Sequence, residues 1–421
     1  MMIFKNEKNC DGAFFGMPRC IEREYKSMWN EQMYEYGSKS SVIRELFAYG
    51  LERKKVVGPD KVYDFSLGNP SIPAPQEVKQ ALMELLEEPA EVLHGYSPAS
   101  GDPSVRKTLA ESVNRRFDTH FTTDNFYMTV GAAASLNISI NAVANPGDEF
   151  ITFAPFFPEY TVWVENAGCH LLVNPADTKS FQIDFDEFEK LLSPKTKGII
   201  INSPNNPSGV VYSEETIQKL ADVLERKQKE YGTTIYLISD EPYREIVYDG
   251  LTVPYVTNYY ANTIVCYSYS KSLSLPGERI GYIIVPDEMK DSKKVMAAVA
   301  GAGRALGYVC APVLFQKAVA RCADVQGDIS AYARNRDLLY NGLTELGYEC
   351  VRPQGAFYLF VKSPEPDANA FSERAKKHDV LIVPSDSFGC PGYVRISYCV
   401  SEKTIVDSMP AFKAIMEEYQ R

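Results

Sequence analysis

The hydrophobic pattern changes character along the chain. Residues 1–18 carry no usable periodicity, and 19–55 reads as polar and helical, with SVIRELFAYGLERKK placing Val42, Leu46 and Tyr49 at helical spacing. Segment 75–93 predicts an amphipathic helix, with Val78, Leu82 and Leu85 on one face and Pro75 near its start. From residue 125 short apolar runs alternate with helical stretches: NFYMTV (125–130), DEFITFA (148–154), GIIIN (198–202), TTIYLIS (233–239) and NTIVCYS (262–268). Between them SEETIQKLADVLERKQKEYG (213–232) predicts a helix capped by Ser213. Continuous apolar strands alternating with helices imply an α/β fold, its mainly parallel sheet covered on both faces.

The C-terminal pattern differs. GAFYLFVK (355–362), DVLIVP (379–384) and GYVRISY (392–398) predict strands of a smaller α+β domain, closed by a helix with Ile405, Met409, Phe412 and Met416 on one stripe. A length of 421 residues agrees with two domains, since one core stops growing near roughly 250–300 residues.

Charge and composition narrow the function. The net charge of −11, with no basic cluster to offset it, argues against nucleic acid as a partner. No apolar run is long enough to span a membrane, and the first residues lack an apolar signal core. Nine scattered cysteines without a CxxC pair fit free thiols in a reducing cytoplasm. Four histidines, none near another or near a cysteine at metal spacing, predict no metal site and no histidine-driven triad.

In open α/β sheets ligands bind beyond the carboxyl ends of the strands. Asp240 and Tyr243 follow TTIYLIS; Asn206 and Gly209 lie in NSPNNPSG after GIII; Ser268, Ser270 and Lys271 follow NTIVCY. The small-residue turn GAAAS follows NFYMTV, and APFFPEY follows DEFITF. Each has an ordinary reading taken singly: Asp as a turn former, Lys as a solvated charge, NPSG as a turn, the Phe pair as core. Together, on consecutive strand ends, they point at one cavity. GAAAS at a helix start, Ser268 and Arg279 could hold a phosphate. GAGRALG (301–307) follows a helical pattern rather than a strand, so it is not a dinucleotide loop, and no GxxxxGK[ST] occurs.

SYSKSLSLPGERIGY resembles the cofactor-lysine motif of class I/II aminotransferases, the fold-type I pyridoxal 5'-phosphate enzymes. NSPNNPSG, SDEPY and GYVRISY match three further motifs in order, and SLGNP and HGYSPASG fit the early part, so the similarity spans residues 40–400. The resemblance implies a large cofactor domain over 73–310 with a seven-stranded-type sheet. The smaller domain would be built from both chain ends, 1–72 (with an N-terminal arm) and 311–421. It also implies a homodimer with shared active sites, acting on an α-amino acid, aspartate or another, and a 2-oxo acid.

By the same resemblance Lys271 is the cofactor-bearing lysine, and Asp240 pairs with the pyridine nitrogen. Asn206 and Tyr243 hydrogen-bond the phenolic oxygen, and Phe157 stacks on the ring. Ser268, Arg279 and the backbone of Ala132 and Ala133 hold the phosphate, which Tyr96 reaches from the partner subunit. Arg395 binds the substrate α-carboxylate, with Gly68 and Asn206 lining that pocket. Ser270, Ser272 and Ser274 read as structural. Ala133 departs from relatives with a hydroxyl or lysine there, and Phe157 from those with Trp or Tyr. Residues 1–28 match nothing and read as an extra arm. Arg304 lies near a distal-carboxylate arginine of dicarboxylate-specific relatives but better suits a helix surface. A C–S β-lyase or related elimination enzyme shares these motifs. A non-catalytic cofactor-binding regulator would need a basic DNA-binding module ahead of the domain, which the first 40 residues, too few and without a basic excess, do not offer.

Overall fold

The computed structural model describes residues 29–38 and 41–420. The extra arm over 1–28 and the helical reading of 19–28 fall outside the described residues. The helix Glu31–Ser38 belongs to one compact unit, and residues from 41 onward form another.

The strands, in chain order, are β1 (Tyr63–Asp64), β2 (Phe126–Thr129), β3 (Glu149–Phe153), β4 (His170–Asn174), β5 (Thr196–Asn202), β6 (Tyr236–Asp240) and β7 (Thr263–Ser268). They continue with β8 (Gly281–Ile284), β9 (Cys350–Val351), β10 (Tyr358–Lys362), β11 (Val380–Leu381), β12 (Val383–Pro384) and β13 (Tyr393–Ser397). A seven-stranded sheet runs in the order β2-β8-β7-β6-β5-β3-β4. Its pairings from β4 through β7 are parallel, and β8 is antiparallel to both neighbours. The connection from Ser268 to Gly281 holds only the four-residue helical turn Tyr269–Ser272 and no crossover helix, and β8 returns antiparallel beside β7.

The all-apolar strands follow from helices on both faces. Ile200, Ile238 and Ile264 pack with Ile138 and Val299 of the helices Ala132–Val143 and Ser292–Ala305. Their neighbours Ile199, Ile201 and Leu237 face the opposite way, against Ile217, Leu220 and Leu224 of the helix Glu214–Tyr231. Ser213 caps that helix by accepting from the Thr216 N–H at 3.0 Å. A four-stranded antiparallel sheet, β12-β13-β10-β9, packs through Leu359, Val361, Val394 and Ile396 onto helices that include the closing one, Glu402–Tyr419. Ile405, Phe412 and Met416 are buried there and Met409 partly so, which is the predicted stripe.

Two local readings need correction. The amphipathic pattern over 75–93 makes two helices, Gln76–Leu85 and Ala90–His94, because Pro89 has no N–H to continue the first. DVLIVP is not one strand: β11 pairs parallel with β1, and after the buried Ile382 β12 pairs with β13. The strands β1, β4, β8 and β9 were not anticipated. No helix among the described residues is long and apolar enough to cross a membrane.

Ile238 is fully buried in a central strand, so Ile238→Ala should cost about 2–5 kcal/mol. Val406→Ala, at a half-exposed helix position, should stay within about 0.5 kcal/mol. Thermal unfolding midpoints of the two variants check the contrast.

Candidate active site

The carboxyl ends of adjacent strands converge on one cavity of about 330 Å³. Register places Asn202, the last residue of β5, beside Asp240, the last of β6. Asp240 is buried, and its Oδ2 accepts from the Tyr160 hydroxyl at 2.6 Å and from Asn202 Nδ2 at 3.4 Å. Its Oδ1 has no partner. Burial pushes this carboxyl up to about 7, the Tyr160 hydrogen bond opposes the shift, and the charge of Glu241 adds to it.

Lys271 lies on the short helical turn Tyr269–Ser272, which Ser268 caps by accepting from the Ser270 N–H at 3.2 Å. Its Nζ donates to the Gly68 carbonyl at 2.7 Å and sits 5.5 Å from the Phe357 ring centroid. Burial pushes the amine down to about 8; nearby Arg395 and Arg279 act the same way, against an opposing effect of Cys399.

Beside it, Ser270 Oγ lies 2.8 Å from Ser268 Oγ and accepts from Arg279 Nη1 at 3.4 Å. Arg279 has a left-handed backbone, φ 51°, and Nη1 also donates to the Pro276 carbonyl at 3.0 Å. Gly131 caps the helix Ala132–Val143 at φ 94°, and a Cβ there would stand 2.9 Å from Arg279 Nη2. A side chain would therefore be strained and would crowd the guanidinium. Hydroxyls, a guanidinium and a helix start thus share one corner, a good place for an anion.

On the other side Arg395 of β13 is only 2% exposed. Nη2 donates to the Ser66 carbonyl at 2.7 Å and Nη1 to Asn206 Oδ1 at 3.1 Å, while Nε has no partner. The guanidinium lies 4.6 Å from the Tyr358 ring and 5.2 Å from that of Phe388. The hydroxyls of Tyr243 and Tyr358 are 3.0 Å apart. Gly68 is obligatory, since a Cβ would fall 2.0 Å from the Tyr358 oxygen. Phe157 is half-buried and meets Tyr160 edge-on at 5.9 Å.

Every anticipated site residue therefore lines this cavity except Tyr96. Tyr96 is 93% exposed and stands apart from the lining. Arg304 is exposed in the last turn of Ser292–Ala305 and does not line the cavity. Ser272 accepts from the Tyr267 hydroxyl at 2.8 Å, a packing role, whereas Ser270 belongs to the anion corner rather than to structure alone. The sequence reading missed Tyr160, Asn202 and Tyr358. Asn202 was visible as the polar end of an apolar strand, and Tyr160 lies one helical turn from Phe157; Tyr358 had no local signal.

Residues 60–407 match the family described as aminotransferase class I and II. An aspartate/prephenate aminotransferase of Thermus thermophilus is 32% identical over 356 residues, 83% of this chain and 89% of its own. The aromatic-amino-acid aminotransferase 2 of Thermococcus litoralis is 28% identical, over 90% of this chain and 96% of its own. Among solved structures, an amino transferase from Eubacterium rectale superposes with a TM-score of 0.93 at 60% identity, over 94% of this chain and all of that one. The aspartate aminotransferase of Thermus thermophilus with maleate gives 0.82 at 28%, over 93% of this chain.

This chain belongs to the aminotransferase class I and II family. As a family these enzymes depend on pyridoxal 5'-phosphate. The lining here fits that group. The buried, unpartnered Oδ1 of Asp240 suits a protonated ring nitrogen, and the Ser268, Ser270 and Arg279 corner suits a phosphate.

Only a neutral amine attacks an aldehyde, and the lowered pKa of Lys271 makes it neutral above about 8. Pyridoxal phosphate trapped with borohydride should therefore label Lys271 with a rate that climbs between about pH 7 and 9, well below the range of ordinary lysines. Peptide mapping across a pH series measures this.

Proposed function

We propose that the protein transfers an amino group between an α-amino acid and a 2-oxo acid by a ping-pong mechanism, with aspartate among the candidate donors. We also propose that it works in the cytoplasm as a homodimer with shared active sites. One observation carries this reading: Lys271 shares a cavity with two buried, incompletely partnered groups, the Asp240 carboxyl and the Arg395 guanidinium. The names of relatives, among them aspartate and aromatic-amino-acid aminotransferases, support the reaction class.

Pyridoxal phosphate, when bound, supplies an aldehyde and a ring that accepts electrons. Asp240 Oδ1 would accept the hydrogen bond of the ring nitrogen and keep its proton in place. A cation opposite that oxygen favours the carboxylate, offsetting the upward shift that burial imposes. Asn206 and Tyr243 would hydrogen-bond the phenolic oxygen, and Phe157 would cover one ring face. Ser268, Arg279 and the backbone N–H groups of Ala132 and Ala133 would hold the phosphate.

Arg395 would take the substrate α-carboxylate. Its unpartnered Nε is a donor without a ligand, and the rings of Tyr358 and Phe388 hold its plane. Lys271 Nζ, which lines the cavity, would in its neutral form remove the proton from the substrate Cα. Seven described cysteines are free thiols, which suits a reducing compartment.

Purified protein given amino acids and 2-oxoglutarate should form glutamate. Ammonia and pyruvate instead would mark an elimination enzyme. Lys271→Ala should lower turnover by about 10³-fold or more, yet keep a visible cofactor spectrum. Full activity in that variant would overturn the assignment. Tyr96→Phe should weaken cofactor affinity about tenfold if a second copy supplies this hydroxyl to the phosphate, the loss expected for one hydrogen bond to a charged group. Equilibrium dialysis and sedimentation of the same samples test the dimer and the shared site together.

A further inference from the structure

Tyr358 lines the cavity, and the proposed function uses only its ring, against Arg395. Its hydroxyl has no task there. Resting on that reading, we propose that Tyr358 is a positioning residue: its hydroxyl donates to Tyr243 and leaves the Tyr243 proton for the phenolic oxygen of the cofactor. The register of the four-stranded sheet brings it into reach. Tyr358 opens β10 and pairs with Ser397 of β13, two residues from Arg395 on the same face. From there its hydroxyl meets that of Tyr243, just beyond β6 of the large sheet, at 3.0 Å.

Hydrogen-bond accounting leaves one proton over. Two hydroxyls carry two protons, and the bond between them uses one. Both tyrosines are buried, and neither hydroxyl has another partner among the described residues. A second buried pair, Tyr248 and Tyr398, shows the ordinary closed arrangement. Both of its hydroxyls donate to the Ala356 carbonyl, Tyr398 at 3.3 Å, so each proton has an acceptor. The Tyr243 and Tyr358 pair has no such acceptor, and both residues line the cavity. The spare proton therefore serves a ligand there.

The surroundings decide which tyrosine keeps that proton. Burial pushes both hydroxyls up, Tyr358 only to about 12, because the Arg395 guanidinium 4.6 Å over its ring opposes the shift. The more acidic hydroxyl of a pair is the stronger donor, so Tyr358 donates and Tyr243 accepts. Gly68 packs on the Tyr358 oxygen, where a Cβ would stand at 2.0 Å, so that side has no room for a ligand. A hydroxyl that accepts one hydrogen bond donates the next more strongly. Asn206 is oriented in parallel: its Oδ1 accepts from Arg395 Nη1 at 3.1 Å, which leaves its amide nitrogen to donate.

The test titrates the visible absorption of bound pyridoxal phosphate against pH in the holoenzyme, Tyr358→Phe, Tyr243→Phe and the double variant. A donor to the phenolic oxygen stabilises its negative charge, so a weakened donor raises the midpoint. The other charged or titratable groups that act on the pair, Asp240, Arg395 and Cys399, are the same in all four proteins. Tyr358→Phe should raise the midpoint by about 0.5–1 pH unit, the range one hydrogen bond supplies, and Tyr243→Phe should raise it further. Adding Tyr358→Phe to Tyr243→Phe should change it by less than about 0.3 unit, since the effect runs through Tyr243. Succinate affinity should change less than about twofold in Tyr358→Phe, because a ring stays against Arg395. An unmoved midpoint, or an equal shift in both backgrounds, overturns the proposal. The expected shifts in a protein that transfers no amino group would end the aminotransfer reading and leave Tyr358 in its role. A protein that forms no visible band with the cofactor overturns both.

Discussion

Desolvation of charge at the carboxyl edge of the large sheet is the constraint on which this structure turns. Asp240 and Arg395 are taken out of water with some of their hydrogen-bonding capacity unused. The consequences are visible in the carboxyl pushed up to about 7 and the lysine pushed down to about 8. Such groups are tolerated only where the surroundings fix them and a ligand completes them. Tyr160 and Asn202 fix one oxygen of Asp240 and leave the other toward the cavity. A further buried pair, Glu241 with Arg244, lies beside it; Glu241 also accepts from Ser239 at 2.7 Å. The strand end is therefore held by polar contacts on its closed side and left incomplete on its open side.

The position of Lys271 follows from topology. Twelve residues separate β7 from β8, and that interval holds the lysine turn, the Pro-Gly corner and Arg279. Tyr267 and Tyr282 stack at 4.8 Å, with Tyr269 edge-on to Tyr267 at 5.1 Å, so the base of the loop is clamped by rings. Gly281 allows the closure, since a Cβ there would meet the Tyr267 carbonyl at 2.2 Å. Arg279, at its left-handed backbone, then turns toward the start of the helix that follows β2. Lysine and anion corner are thus one loop, and displacement of either moves the other.

How much of this was legible in the sequence depended on how local the cause was. The parallel sheet was legible because strands covered on both faces must be continuously apolar, and the site was legible because ligands gather at the carboxyl ends of such strands. Asp240, Lys271 and Asn206 stand out as the polar residues just beyond the end of an apolar run. The edge strand β4, half-buried and short, and β8, hidden in a glycine-containing return, gave weaker signals. Tyr358 enters the site from β10, more than a hundred residues beyond Tyr243, so only tertiary pairing discloses it. The division of 379–384 between two sheets likewise depends on partners far along the chain, Tyr63 and Asp64 for one half and β13 for the other. Pro89 was the exception, a local signal strong enough to break the helix that the apolar spacing suggested.

The segment 66–68 shows how the two halves of the site are coupled. The Ser66 carbonyl accepts from Arg395 and the Gly68 carbonyl from Lys271, so two cations from different sheets are tied to backbone atoms two residues apart. This segment follows directly on β1, whose pairing with β11 anchors it, and Lys54 of the helix Val42–Val57 stands 3.5 Å from Asp64 in the same strand. A carboxylate at Arg395 would compete with the Ser66 carbonyl for the guanidinium, and a ligand of Lys271 would compete with the Gly68 carbonyl for its amine. The Ser66 and Gly68 carbonyls thus tie the Arg395 guanidinium and the Lys271 amine to one short segment, whose close packing on the Tyr358 hydroxyl leaves no room for a Cβ at position 68.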